Sequence, residues 1–284
     1  MRFNSDVRPS PISGSWYLGD PQALAEQMDV FIQQAVLSED EYAGKVIGLL
    51  APHAGHRYSG RTAGYAYKLV QGNPRALVII LAPMHQYMTG EIFTTSHRAY
   101  QTPLGELPVA QEELNRLEQA LQAHGSSLIQ VTRDEEHSLE IQLPFLQRAW
   151  QQDFSLLPIM LRTLDAVKLK ELADAIYSVV KGQDFLVIAS TDLSHFYPLD
   201  MAEALDAEML RRVKAFQPEA VLTAEQEGSA AACGAGAVAA MLWIAKHVGA
   251  DQVHILNYST SADATGDASA VVGYASAAVL QSLS

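Results

Sequence analysis

Three short apolar runs each lead into a histidine. The first, Val46-Ile47-Gly48-Leu49-Leu50-Ala51-Pro52, precedes His53. The second, Leu77-Val78-Ile79-Ile80-Leu81-Ala82-Pro83-Met84, precedes His85. The third, Phe185-Leu186-Val187-Ile188-Ala189-Ser190-Thr191, precedes Asp192 and His195. A neutral imidazole is the commonest metal ligand and titrates near neutrality, so it serves as ligand or as general acid and base. Asp192 stands three residues before His195 and faces it if a helical turn begins there. Asp192 would then orient the ring while His195 moves protons. The plainer readings are Asp192 as the cap of a short turn and His53 as a loop histidine capping a helix or carbonyl.

Cys233, the only thiol, lies in Ala231-Ala232-Cys233-Gly234-Ala235-Gly236 ahead of an apolar helix. At a helix N-terminus the thiolate is favoured and can bind a metal or attack an electrophile. A small buried hydrophobe is the alternative. The pattern Gly234-x-Gly236-x-x-Ala239 lacks the apolar strand that a dinucleotide fingerprint needs. Its small residues are read instead as allowing close backbone approach. His137 and Glu140, in Asp134-Glu135-Glu136-His137-Ser138-Leu139-Glu140, share a helix face. They would support a metal-bound imidazole from behind, or simply be polar groups in a helical first turn whose acids the dipole favours.

Continuous Val, Ile and Leu runs of this length are strands buried on both faces. In open α/β sheets, ligands sit beyond the carboxyl ends of such strands. Strand-like and helix-like segments alternate along the chain, predicting an α/β fold with a central mixed or largely parallel sheet flanked by helices. Asp20 and Pro21 predict the start of a helix reaching Leu37. A continuous helix is predicted over Glu136 to Trp150. Consecutive elements usually pack together, so the strands before His53 and His85 are expected to be neighbours, with ends about 5 to 10 Å apart. No linker or low-complexity tract divides residues 1–284, which are read as a single domain.

The chain has 284 residues, of which 49% are hydrophobic, ample for a large core. Its 19 basic residues against 32 acidic ones leave a net charge of −13, which repels nucleic acid and anionic membrane surfaces. One cysteine excludes an internal disulfide. No apolar run approaches the roughly 20 residues of a membrane span, and Met1 to Trp16 carry no apolar signal core. The expectation is a soluble cytoplasmic protein with neither nucleic-acid nor membrane partners.

Several separated motifs together resemble the MEMO family, also called AmmeMemoRadiSam system protein B. They are Gly14-Ser15-Trp16-Tyr17, Ala51-Pro52-His53-Ala54-Gly55 with Tyr58 and Gly60, the strand ending at His85, and Tyr100-Gln101-Thr102-Pro103-Leu104-Gly105. Then come Glu136-His137-Ser138-Leu139-Glu140 running into Leu143-Pro144, Ser190-Thr191-Asp192-Leu193-Ser194-His195, Cys233-Gly234 and Leu256-Asn257-Tyr258. The resemblance spans nearly the whole chain. It implies a fold like the class III non-haem iron extradiol dioxygenases (LigB-like), with a metal site at the strand ends. It further implies His53, His85 and Cys233 as metal ligands, Asp192 and His195 completing the pocket, and Tyr58 beside it. Those dioxygenases use a glutamate as third ligand. A cysteine in that role is softer and suits iron or copper(I).

Three functions are weighed. The first is a metal-dependent redox enzyme, dioxygenase-like, on iron or copper with an unidentified small-molecule substrate. The second is a non-catalytic peptide- or metal-binding protein that retains the dioxygenase fold. The third is a metal-free cysteine hydrolase using Cys233, His195 and Asp192, which leaves His53 and His85 without a task. The system name implies company with radical-SAM and AMMECR-type proteins. Scattered apolar surface is compatible with a homo-oligomer.

Overall fold

In a computed structural model, which describes residues 6–37 and 42–282, the three apolar runs are strands. In chain order the strands are β1 (Val7–Arg8), β2 (Lys45–Ala51), β3 (Leu77–Pro83), β4 (Ile92–Thr95), β5 (Ala99–Thr102), β6 (Gly105–Pro108), β7 (Ile129–Val131), β8 (Ser155–Leu161), β9 (Phe185–Ser190), β10 (His195–Tyr197), β11 (Gln252–Thr260) and β12 (Val271–Gln281). The helices are α1 (Pro21–Gln34), α2 (His56–Leu69), α3 (Gln111–Ala123), α4 (His137–Glu140), α5 (Leu143–Ala149), α6 (Ala166–Val180), α7 (Leu199–Lys214), α8 (Pro218–Glu227), α9 (Ala235–His247) and α10 (Ala262–Thr265).

The main sheet has the order β10-β12-β2-β9-β3-β8-β4-β7, with β11 also paired to β12. Its centre, β2-β9-β3-β8, is parallel throughout. The pairs β12–β2, β11–β12 and β4–β8 are antiparallel, so the sheet is mixed. Apart from Lys45, every residue of β2, β3 and β9 is buried. Helices α1, α2 and α5 pack on one another, as do α6 with α9 and α8 with α9, and both α2 and α9 lie against the sheet. This is the expected α/β architecture. A small second sheet runs β1-β5-β6. Among the described residues no helix is long and apolar enough to cross a membrane.

Three expectations are corrected. Strands β2 and β3 are not neighbours, because β9 lies between them and pairs in parallel with both. A strand this apolar needs ladder partners on both edges, and the α6 crossover from β8 returns the chain into that gap. The ends of all three runs therefore share one sheet edge, with Ser190 to Asp192 between His53 and His85. The helix expected over Glu136 to Trp150 is broken into α4 and α5. Pro144, in the first turn of α5, has no N–H and its ring crowds the carbonyl four residues back. The first helix begins as predicted, with Asp20 Oδ1 accepting from Ala23 N at 2.8 Å, but ends at Gln34 rather than Leu37. Helix α8 was not anticipated, although Pro218 opens it and left-handed Gly228 (φ 66°) closes it.

The small residues after Cys233 do allow close approach. A Cβ on Gly234 would lie 2.4 Å from the Ser190 carbonyl oxygen, and one on Gly236 2.7 Å from that of Thr163. This contact presses the start of α9 onto the end of β9 and carries Cys233 to the same edge as His53.

Candidate metal centre

One ring nitrogen of each of His53, His85 and His137 lies within 4.8 Å of the other two. The ring centroids are 5.3 Å apart for His53 and His85, 5.4 Å for His53 and His137, and 4.7 Å for His85 and His137. His53 follows β2, His85 follows β3, and His137 opens α4. His53 is buried, His137 half-buried and His85 exposed, so the cluster is reached from solvent.

Hydrogen bonds decide which nitrogen each ring offers. Glu136 Oε1 lies 2.9 Å from His85 Nδ1 and 3.1 Å from His137 Nδ1. A carboxylate accepts, so both Nδ1 atoms carry protons and both Nε2 atoms keep a lone pair. Glu136 is held in turn by the backbone N–H groups of His85 (2.6 Å) and Ser138 (3.0 Å). Burial pulls its carboxyl upward, but the hydrogen bonds from His137 and His85 outweigh that and hold it well below the usual range.

His53 reaches the same state by another route. Ser190 Oγ donates to the Ser138 carbonyl at 2.6 Å and accepts from Gln142 Nε2 at 2.8 Å. Its single proton is therefore committed, and at 3.1 Å from His53 Nδ1 it must accept. His53 Nε2 is then also a lone pair. Burial, followed by the neighbouring His137 and His85, pulls His53 well below its usual value. Three imidazoles with ring nitrogens this close, each engaged at Nδ1, form a donor set that fits a first-row metal ion.

Cys233 Sγ flanks the cluster 3.1 Å from His53 Nε2 and accepts from Asp192 N at 3.4 Å. It does not belong to the mutually close trio. Burial, then the charge of Asp192, pushes its thiol upward. Asp192 does not sit in a helical turn. Its Oδ1 accepts from the backbone N–H groups of His53 (2.7 Å) and Ala54 (3.2 Å), while Oδ2 is 4.0 Å from His53 Nε2. Burial pushes it up to about 6 against these hydrogen bonds. His195 opens β10 instead, and its charge reaches both His53 and Asp192.

The supporting roles are distributed differently from the sequence reading. His137 is in the trio itself rather than behind it. Glu140 is turned away into a buried pair with Arg8 Nη1 at 2.5 Å and also accepts from Tyr17 O–H at 2.7 Å. Glu136 holds the imidazoles in its place. Tyr58, at the solvent edge, lines a separate groove along α2. Three contributors were not anticipated. Ser190 ends the third apolar run, where nothing in its sequence context marks it as a partner of His53. Gln142 donates to Pro52 O and Ser190 Oγ and accepts from Tyr67, locking both strand ends. Trp16 lays its ring on His137 with centroids 4.1 Å apart, and its place in Gly14-Ser15-Trp16-Tyr17 was the available signal.

A cavity of about 200 Å³ opens on His85 and Cys233, walled by Met84, Leu161, Arg162 and Glu225 among others. A small substrate admitted there would meet the cluster from its exposed side.

Residues 8–278 match a family model described as Memo-like protein. A MEMO1 family protein of Nitrosopumilus maritimus is 31% identical over 273 residues, covering 94% of this chain and 98% of that one. Another from Methanopyrus kandleri is 31% identical over 277 residues, covering 94% and 97%. Among solved structures, the uncharacterized protein JW3007 from Escherichia coli K12 matches with a TM-score of 0.53 at 14% identity, covering 82% of this chain and 99% of that chain. At that identity the likeness concerns the fold alone.

Proposed function

The chain belongs to the Memo-like family, and from that premise we propose that it is a metal-dependent oxidoreductase with iron or copper held by Nε2 of His53, His85 and His137. One observation carries the reading: ring nitrogens of His53, His85 and His137 lie within 4.8 Å of one another, and each Nδ1 has a partner that leaves Nε2 as the nitrogen for a ligand. Imidazole donors suit iron and copper, and the adjacent sulfur of Cys233 adds a soft donor that favours the same two metals. When bound, either ion supplies one-electron redox chemistry and a site for oxygen or substrate. The resemblance to extradiol dioxygenases supports an oxygen-dependent reaction.

The chain's own groups supply the rest. Glu136 fixes the tautomer and orientation of His85 and His137. Cys233 S–H faces the His53 Nε2 lone pair, so ligation there requires the thiol to turn away or lose its proton. Asp192 Oδ2, with a carboxyl pushed up to about 6, holds or releases a proton near neutral pH. His195 is the second group able to move a proton at this edge. The test is metal content after anaerobic loading with Fe(II) or Cu(I). Wild type should hold about one ion per chain and His137→Ala none. If neither metal is retained, or if His137→Ala retains as much as wild type, the reading fails.

A second reading, a peptide-binding protein without turnover, is favoured by exposed rings set against two of the histidines. Trp16 lies tilted against His137, and Phe196 meets His195 edge-on while 75% exposed at a strained φ of 62°. Metal-independent peptide affinity in a titration would favour it.

A further inference from the structure

The groove along α2 has a charge character opposite to that of the chain. It encloses about 430 Å³ between α2, β11 and α10. Arg57 and Arg61 stand on its α2 wall, four residues apart and so one above the other on the same helix face. Two like charges at that spacing repel. Several other surface arginines pair with carboxylates, as Arg116 does with Glu113, Arg148 with Asp29 and Arg211 with Glu208. Arg57 and Arg61 have no carboxylate in ion-pair contact among the described residues. The Arg57 guanidinium lies over the Tyr58 ring at 5.1 Å, which leaves its N–H edges available.

The rest of the lining adds further donors. Asn257 Oδ1 accepts from Thr62 Oγ1 at 3.0 Å, so its N–H₂ is left for another partner. Tyr65 adds an O–H. Against the two guanidinium groups the groove lining carries one carboxylate, Asp263, whose Oδ2 accepts from the Thr260 backbone N–H at 2.7 Å. Two guanidinium forks, an amide N–H₂ and a phenol therefore line a volume fit for a small ligand, and the two positive charges outnumber the one carboxylate.

We propose that this groove binds a small phosphorylated ligand, its phosphate bracketed by Arg57 and Arg61. A carboxylate would neutralise one guanidinium. A phosphate monoester carries about −1.5 to −2 at neutral pH and matches both. The inference stands apart from the histidine cluster and does not depend on a metal.

The test is calorimetric titration of the full chain with inorganic phosphate and with glycerol 3-phosphate at low and moderate salt. Wild type should bind glycerol 3-phosphate at one saturable site, more weakly as salt rises. The exposed double variant Arg57→Gln/Arg61→Gln, checked for an unchanged circular dichroism spectrum, should bind at least tenfold more weakly. His53→Ala should bind within twofold of wild type. The proposal is overturned if neither phosphate compound saturates a site, or if the double variant binds like wild type. It is equally overturned if binding is lost in His53→Ala and kept in the double variant, which would move the site to the histidines.

Discussion

Cys233 Sγ lies 3.1 Å from His53 Nε2, and the proton between them belongs to the sulfur. Ser190 commits its hydroxyl proton to the Ser138 carbonyl, so His53 must donate from Nδ1 and present a bare Nε2. The thiol is pushed up by burial and by Asp192, while the imidazole is pulled down by burial and by its fellow imidazoles. The pair is therefore neutral thiol and neutral imidazole. A cysteine hydrolase needs the reverse, a thiolate beside an imidazolium.

Alkylation reads that proton directly. In the metal-free protein, iodoacetamide should label Cys233 slowly at pH 7, with the rate rising only above pH about 8.5. Intact mass against time at several pH values gives the profile. Fast labelling below pH 7 would reveal a thiolate and revive the hydrolase reading.

Glu136 holds two imidazoles with one oxygen, so its charge and not only its shape should matter. Glu136→Gln can still accept from the Nδ1 protons but loses the negative charge. Metal affinity, measured by competition with a chelator, should fall by about 10- to 100-fold while the fold survives. Unchanged affinity would remove Glu136 from the site.

His137 and Glu140 separate a ligand role from a structural one. His137→Ala should abolish metal retention with little change in urea stability. Glu140→Ala leaves buried Arg8 with Asp134 as its one remaining carboxylate, at 2.8 Å. Breaking a buried pair costs about 3 to 5 kcal/mol, and the lower end is expected here because Asp134 remains. Metal binding by the folded fraction should persist. Loss of metal without loss of stability in Glu140→Ala would contradict this division.

What the sequence revealed of the site follows the range of each signal. The strand ends at His53, His85 and Asp192 were legible because apolar runs and their terminal residues are local. The insertion of β9 between β2 and β3 is a pairing over more than 100 residues of chain and leaves no mark in either strand. The spacing of His137 and Glu140 did place both on one short helix. It could not show that Arg8, 132 residues away from Glu140, captures that carboxylate, nor that Glu136 turns back as the helix cap to meet two rings. Burial at this edge is set by long-range partners, so roles within the motif were interchangeable on sequence grounds.

His56 should make the fold acid-sensitive. Its Nε2 donates to the Ile141 carbonyl at 3.0 Å, and its ring is packed between Tyr17 and Phe145, at 5.5 and 5.0 Å. Burial pulls it down from 6.5 to about 4, with the Ile141 hydrogen bond opposing. Between these values the unfolded chain binds a proton that the folded chain excludes, so stability is full above pH 6.5 and falls as pH drops toward 4. At about 1.4 kcal/mol per unit, the loss is about 2 kcal/mol by pH 5 and about 3 kcal/mol in all. His56→Gln keeps an N–H for Ile141 and cannot titrate. Denaturant unfolding at pH 7.5 and pH 5 should show the drop in wild type and a drop smaller by that amount in the variant. An equal drop in both would place the acid sensitivity elsewhere.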